Sequence, residues 1–310
     1  MPIKDISLGR TVQWLAGRIA VIYAIVFLFS LTCMDLKTIE ERVKVRHLND
    51  AIPDFSDMII FSQDQDAKRN IDWAPYHDYF SLILTYIPND LVTEQLLGFV
   101  DYNSGQEQKA IELFKGSCDI KGKFLFWSNY NLGVIYFKKG MWAEAAKYLL
   151  NAVSSSTKLS LVLMNDSIIY RQVMASPFFK YSLSDTINDA QSSSYILLLS
   201  CLYHMQQYDK MVGVSNLGLN DQGLTHKDAF YYYQGLAFYE MGQLRNAFLL
   251  FQECLSMEKG NPDVYYYIAD IFQKAGQLEQ ARQLLQVSYS LHQRHDPRFP
   301  YEAAVNTRFF

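Results

Sequence analysis

The stretch that decides the fold is YYYQGLAFYEMGQLRNAFLLF, residues 231–251. Gly235 lies among bulky residues, with Gly242 seven positions later, Ala247 twelve and Phe251 sixteen. The same frame recurs as Leu97-Gly98, Gly105, Ala110 and Phe114, and as Leu132-Gly133, Gly140, Ala145 and Leu149. A further copy is Ile268-Ala269, Gly276, Ala281 and Leu285. Gly98 to Gly133 is 35 residues, and Gly235 to Ala269 is 34. Self-similarity at such a period marks stacked units of two helices, none of which can bury its apolar face alone. Helices that cross closely need small residues at the crossing, so the first Gly or Ala is expected to meet the Ala of the second helix. The intervening Gly allows the tight turn between them. Phe or Leu four residues after the Ala is expected to fill the seam with the next unit. Pro262 suits the first turn of a helix. One such spacing would mean little, but four in a common frame specify an all-α solenoid of antiparallel helix pairs.

As a set these residues resemble the tetratricopeptide repeat, with its W-x2-L-G-x2-Y, A-x3-F and trailing Pro. The chain departs from that pattern at Glu94, Asn129, Tyr231 and Tyr265, which stand at the Trp position, and at Asp101, where a Tyr is usual. Repeats are assigned to residues 91–157 and 193–295, the latter opening with a degenerate unit (193–226) read from Leu199-Ser200, Tyr203 and a turn at Gln207. Residues 158–192 fit poorly: Pro177 interrupts them and Ser184 to Ser194 is polar, which reads as an irregular repeat carrying a loop. Residues 35–90 read as juxtamembrane helices and a loop. A charged helix is expected over Leu36 to Leu48, a surface loop over 62–72, and a capping helix from Tyr76 to Ile87. The tail, 296–310, has two prolines and no period.

The N-terminal region reads differently. From Ile19 to Met34 no residue is charged. Sixteen helical residues span ~24 Å, a little short of a ~30 Å hydrocarbon core. Arg18 can snorkel and Trp14 suits the interface, which extends the expected transmembrane helix to residues 14–34 behind a short tail, 1–13. No small-residue cleavage site is well placed after the run. Thr32 before Cys33 is a poor match to a lipoprotein signal. An uncleaved signal anchor therefore fits best. Lys4, Arg10 and Arg18 precede the span and Lys37, Arg42, Lys44 and Arg46 follow it, so charge does not decide orientation. The short tail is the easier end to leave in the cytoplasm, which places the C-terminal domain on the extracytoplasmic, periplasmic side. Ala16, Gly17, Ala20 and Ala24 form a small-residue face suited to contact with another membrane helix.

The chemistry points to binding. A net charge of -4 argues against nucleic acid as a partner. Cys33, Cys118, Cys201 and Cys254 show no metal or redox spacing, and the six histidines are scattered. There is no phosphate loop, no G-x-S-x-G and no H-E-x-x-H, so neither catalysis nor a cofactor or metal is expected. Aromatic residues make up 15% of the chain. The family resemblance implies a concave wall lined by the first helix of each pair. On that wall it places Phe99, Tyr102, Trp127, Tyr130, Phe137, Tyr232, Tyr239 and Tyr266 as partner-binding residues. Rigid rings lose little entropy on binding and Tyr keeps a hydroxyl for a hydrogen bond. The expected function is a membrane-anchored scaffold, an accessory or assembly subunit of a larger complex, gripping other proteins and touching lipid through 14–34. A periplasmic adaptor for transient clients and a cytosol-facing receptor are the alternatives.

Overall fold

The computed structural model describes residues 43–44, 46–48, 50–53, 71–120, 122–155 and 183–292. The chain divides into two compact units, 1–53 and 54–310. In the first, residues 43–44, 46–48 and 50 are helical, and Arg46 pairs with Asp50 one turn later at 3.8 Å. The expected span, 14–34, lies outside the described residues, as do Ala16, Gly17, Ala20 and Ala24. Among the described residues no helix is long and apolar enough to cross a membrane.

In the second unit the described helices are α1 (Ala74–Tyr86), α2 (Leu91–Asn103), α3 (Glu107–Gly116), α4 (Phe126–Lys138) and α5 (Trp142–Ser154). They continue with α6 (Leu183–His204), α7 (Tyr208–Asn220), α8 (Lys227–Glu240), α9 (Leu244–Met257), α10 (Pro262–Lys274) and α11 (Leu278–His292). A two-stranded antiparallel hairpin, β1 (Asp119–Ile120) and β2 (Lys123–Phe124), sits between α3 and α4. Helices next to one another in this order pack together, α5 against α6 included, and α6 also touches α4 and α8. Nearest-neighbour packing of this kind defines an all-α helical-repeat solenoid. Its starts are encoded locally. Asp90 caps α2 by accepting from the Thr93 N–H at 2.9 Å, and Asn261 caps α10, whose first residue is Pro262.

The repeated frame has a different internal contact from the one the spacing suggests. A Cβ built on Gly98 would lie 2.7 Å from the Phe114 ring. On Gly133 it would lie 2.6 Å from Leu149 Cγ, and on Gly235, 2.7 Å from the Phe251 ring. The bulky residue that was expected to fill the seam with the next repeat therefore covers the glycine of its own. Ala110, Ala145 and Ala247 are fully buried but are not among the atoms nearest to these glycines. Gly218 plays the same part between repeats, since a Cβ there would meet the Phe230 ring of α8.

The turns fix the frame of the degenerate unit. Gly105, Gly140, Gly242 and Gly276 have φ between +70° and +85°. At each turn this residue's N–H bonds back three positions and the next N–H bonds back five, as in Gly242 to Tyr239 and Gln243 to Phe238. Gln206 occupies that place with φ +57°, its N–H bonded to the Tyr203 carbonyl and that of Gln207 to Leu202. The turn is therefore one residue earlier than a turn at Gln207, and Leu199, not Ser200, is the counterpart of Gly235. Sixteen residues after Leu199 stands Ser215, fully buried. The sizes are exchanged: large in the first helix, small in the second.

Helix α6 is also longer than expected. It runs unbroken through Ser184 to Ser194, the polar stretch read as loop. Two of its serines explain why polarity did not end it. Ser194 Oγ donates to the Ala190 carbonyl one turn back, and Ser192 Oγ accepts from the Thr225 N–H at 2.9 Å. Lys227, at the start of α8, closes the other end of this junction by donating to the Gly218 and Leu219 carbonyls that end α7.

A left-handed Gln costs stability that glycine would not, partly offset by the freer unfolded chain. Gln206→Gly should therefore raise stability by up to about 1 kcal/mol, and Gly242→Ala should lower it by about 1 kcal/mol. Urea unfolding midpoints at constant slope check both; the opposite ordering would contradict the turn assignment.

Candidate functional site

The turns place three direct polar-aromatic contacts and one link bridged by a ring at the C-terminal ends of the first helices. Each joins the residue four after a frame position to the residue five after the next one. Lys138 Nζ stands 5.7 Å from the Tyr102 ring centre. Tyr203 Oη donates to Glu240 Oε1 at 3.2 Å, and Lys274 Nζ lies 4.4 Å over the Tyr239 ring. The fourth step links Phe137 to His204 through Trp142: Phe137 meets Trp142 edge-on at 5.2 Å, and Trp142 stacks on His204 at 4.1 Å. This register holds only with Leu199 as the frame residue, which supports that assignment independently of the turn.

The last step is the most elaborate. Tyr239 Oη donates to Asp270 Oδ2 at 2.5 Å, Lys274 Nζ donates to Tyr239 Oη at 2.8 Å, and Lys274 pairs with Asp270 at 2.7 Å. Burial raises the Asp270 pKa, but the bonds from Lys274 and Tyr239 outweigh it and hold the carboxyl below its ordinary value. The same bonds raise Lys274, so both groups stay charged across the neutral range. Behind them, burial and the Glu240 charge push the Tyr203 hydroxyl up to about 12, and burial raises Tyr267 as well. Tyr267 stacks on Phe251 at 5.6 Å, so the surface clasp is continuous with the core contact under Gly235.

The eight rings expected on the wall separate into three groups by exposure. Phe99, Trp127, Tyr130 and Tyr232 are buried and pack the array. Phe99 lies edge-on to Trp73 at 5.6 Å, Tyr130 stacks on Phe126 at 5.8 Å, and Tyr232 packs against Phe251. Tyr102, Phe137 and Tyr239 are half-buried members of the cross-repeat contacts. Tyr266 is 51% exposed, and with Asp270 and Lys274 it forms a stripe at i, i+4 and i+8 on α10. Trp142, Tyr203, His204 and Tyr267 join these contacts without having been expected there. The signal for Tyr203 was its place four after Leu199, hidden by the frame slip.

Asn129 shows what a signature departure does. Its Nδ2 donates to the carbonyls of Cys118 and Leu125, each at 2.7 Å, and its Oδ1 accepts from Asn151 at 3.2 Å. It thereby ties the hairpin segment to α4 and α5, with two donated bonds and one accepted bond that the single N–H of an indole could not supply. Nearby on α4, Asn131 is buried with neither side-chain amide atom hydrogen-bonded.

Among known proteins, residues 238–298 and 128–155 match the tetratricopeptide repeat family. No curated protein matches the chain. Similar solved structures include the crystal structure of MamA, 18% identical, covering 64% of this chain and 95% of that one at a TM-score of 0.45. MamA from Desulfovibrio magneticus RS-1 is 12% identical, covering 67% and 98% at a TM-score of 0.45. YrrB, described as a TPR protein with an unusual peptide-binding site, is 13% identical, covering 70% and 93% at a TM-score of 0.48. The chain is thus a helical-repeat protein that carries tetratricopeptide repeats over residues 128–155 and 238–298.

Proposed function

We propose that this chain is a membrane-anchored scaffold that binds other proteins through the first-helix wall of its repeats, as an accessory or assembly subunit of a larger complex. The observation that carries the binding role is the exposed Tyr266 beside the Tyr239–Asp270–Lys274 clasp. A ring left exposed next to residues already fixed by mutual hydrogen bonds offers contact area at little further entropic cost. Tyr102 and Phe137 offer a second patch toward the other end of the array. The partner that suits such a wall is an extended or helical polypeptide, held by ring faces and by hydrogen bonds to Tyr hydroxyls and the Glu240 carboxylate. The chain acts by binding, not by catalysis.

The anchoring reading rests on the uncharged run within residues 14–34, with Ala16, Gly17, Ala20 and Ala24 as the face for a second membrane helix. It places the repeats on the extracytoplasmic side. Protease protection of the repeat domain in intact membranes tests this orientation: protection is expected, and digestion would reverse the topology.

The wall itself is tested by capture of partners from native membranes. Tyr266→Ala with Tyr239→Ala should reduce co-purification of stoichiometric partners at least about tenfold while leaving helix content unchanged. Undiminished capture would move the binding surface elsewhere. The clasp should also leave a pH signature. Asp270 has a depressed pKa, so its stabilisation is present above 3.8 and drains away as pH falls below it through the folded value. Asp270→Asn should therefore cost up to about 1 kcal/mol near neutral pH, and the difference from the parent should shrink in acid. A difference that grows in acid would contradict the clasp.

A further inference from the structure

The first repeat departs from the others at two signature positions, and both departures line one cleft. Glu94 and Asp101 stand where the other clear copies have Asn129, Tyr231 or Tyr265 and Tyr136, Phe238 or Phe272. A cleft of about 440 Å³ opens between α1, α2 and α3, lined by His77, Glu94, Leu97, Asp101, Lys109, Glu112, Leu113 and Gly116. Large rings at the two positions would occupy space that these carboxylates leave open. Asp101 is 2% exposed, and its Oδ1 accepts no hydrogen bond. Among the described residues the His77 imidazole lies beside it, with Nε2 3.5 Å away, at ion-pair range when protonated.

We propose that this cleft receives a basic side chain, lysine or arginine, from a partner polypeptide, with Asp101 and Glu94 as its acceptors. A buried carboxylate oxygen without a donor is costly, and a cationic donor removes the cost while gaining a charge-assisted bond. Among the described residues, three carboxylates, Glu94, Asp101 and Glu112, line the cleft with the His77 imidazole and with Lys109, whose Nζ is bonded to Gln106 at 2.6 Å. Among the described residues its carboxylates therefore outnumber its cationic groups. Leu97 and Leu113 supply apolar wall for the aliphatic stem of the incoming residue. Burial raises the pKa of both carboxyls, with the Asp90 charge adding to it at Glu94 and His77 and Lys109 opposing it at Asp101. The cleft lies on the first repeat, apart from Tyr239 and Tyr266, and the inference stands independently of the wall.

The test is NMR of the isotope-labelled full chain titrated with acetyl-Gly-Arg-Gly-amide and, separately, acetyl-Gly-Gln-Gly-amide. The arginine peptide should give saturable shifts at the amides of Leu97, Asp101 and Leu113, with at least about tenfold weaker binding for the glutamine peptide. Asp101→Asn should weaken the arginine peptide by a similar factor, and Glu94→Gln provides the same test should the first variant fail to fold. Tyr239→Ala should leave the titration unchanged, which separates failure of this site from failure of the wall. Equal binding of the two peptides, absence of saturable shifts, or full binding by a folded Asp101→Asn or Glu94→Gln chain would overturn the proposal.

Discussion

Everything in the repeat domain depends on how closely two helices of a pair can approach, and one contact sets that distance. A glycine backbone in the first helix accepts the ring or branched side chain that lies sixteen residues later in the second. Gly98 with Phe114, Gly133 with Leu149 and Gly235 with Phe251 each leave no room for a Cβ. With that approach fixed, the turn between the helices must reverse the chain in very few residues, which requires a left-handed residue at Gly105, Gly140, Gln206, Gly242 and Gly276. The turn in turn sets where each first helix ends. The cross-repeat contacts from Tyr102 to Lys138, Tyr203 to Glu240 and Tyr239 to Lys274 are consequences of that register.

The surface is built on the same contacts as the core. Phe251 packs beneath Gly235, Tyr267 stacks on Phe251, and Tyr239 meets Tyr267 at 5.0 Å before reaching Asp270 and Lys274. A partner that engages the exposed end of this chain of rings meets side chains whose rotamers are already fixed by packing. Such pre-organisation, more than contact area, is what gives a modest aromatic patch useful affinity. The first repeat does the opposite: it gives up two signature rings and leaves a charged cleft in their place.

The period and the helix pairs were legible in the sequence because glycine spacing and apolar spacing report the same geometry. The partner of the glycine was not. Residues twelve and sixteen positions away lie one turn apart on the same face of the second helix, so spacing alone cannot rank Ala247 against Phe251. The degenerate unit misled for a related reason. Ser200 resembles the usual small residue, but the structure accommodates a large Leu199 by shrinking the opposite position to Ser215. The positions of the expected wall rings on the first helices were legible, and their accessibility was not. Phe99, Trp127, Tyr130 and Tyr232 share the spacing of Tyr102, Phe137, Tyr239 and Tyr266, and only the neighbouring helices decide which rings are covered. The two-residue strands of the hairpin are too short to leave any pattern, and their presence follows from Asp119, which accepts from the Gly122 N–H at 2.8 Å.

The most direct test of the small-against-large contact is a double-mutant cycle on Gly235 and Phe251, read by urea unfolding. Gly235→Ala places a methyl 2.7 Å from the Phe251 ring, and this overpacking opposes the gain in helix propensity. In a Phe251→Ala background the clash is gone, so the same substitution should become neutral or stabilising, with a coupling of at least about 1 kcal/mol. Additive effects at the two positions would contradict the account, because they would mean that the close approach of the helix pair does not depend on this contact.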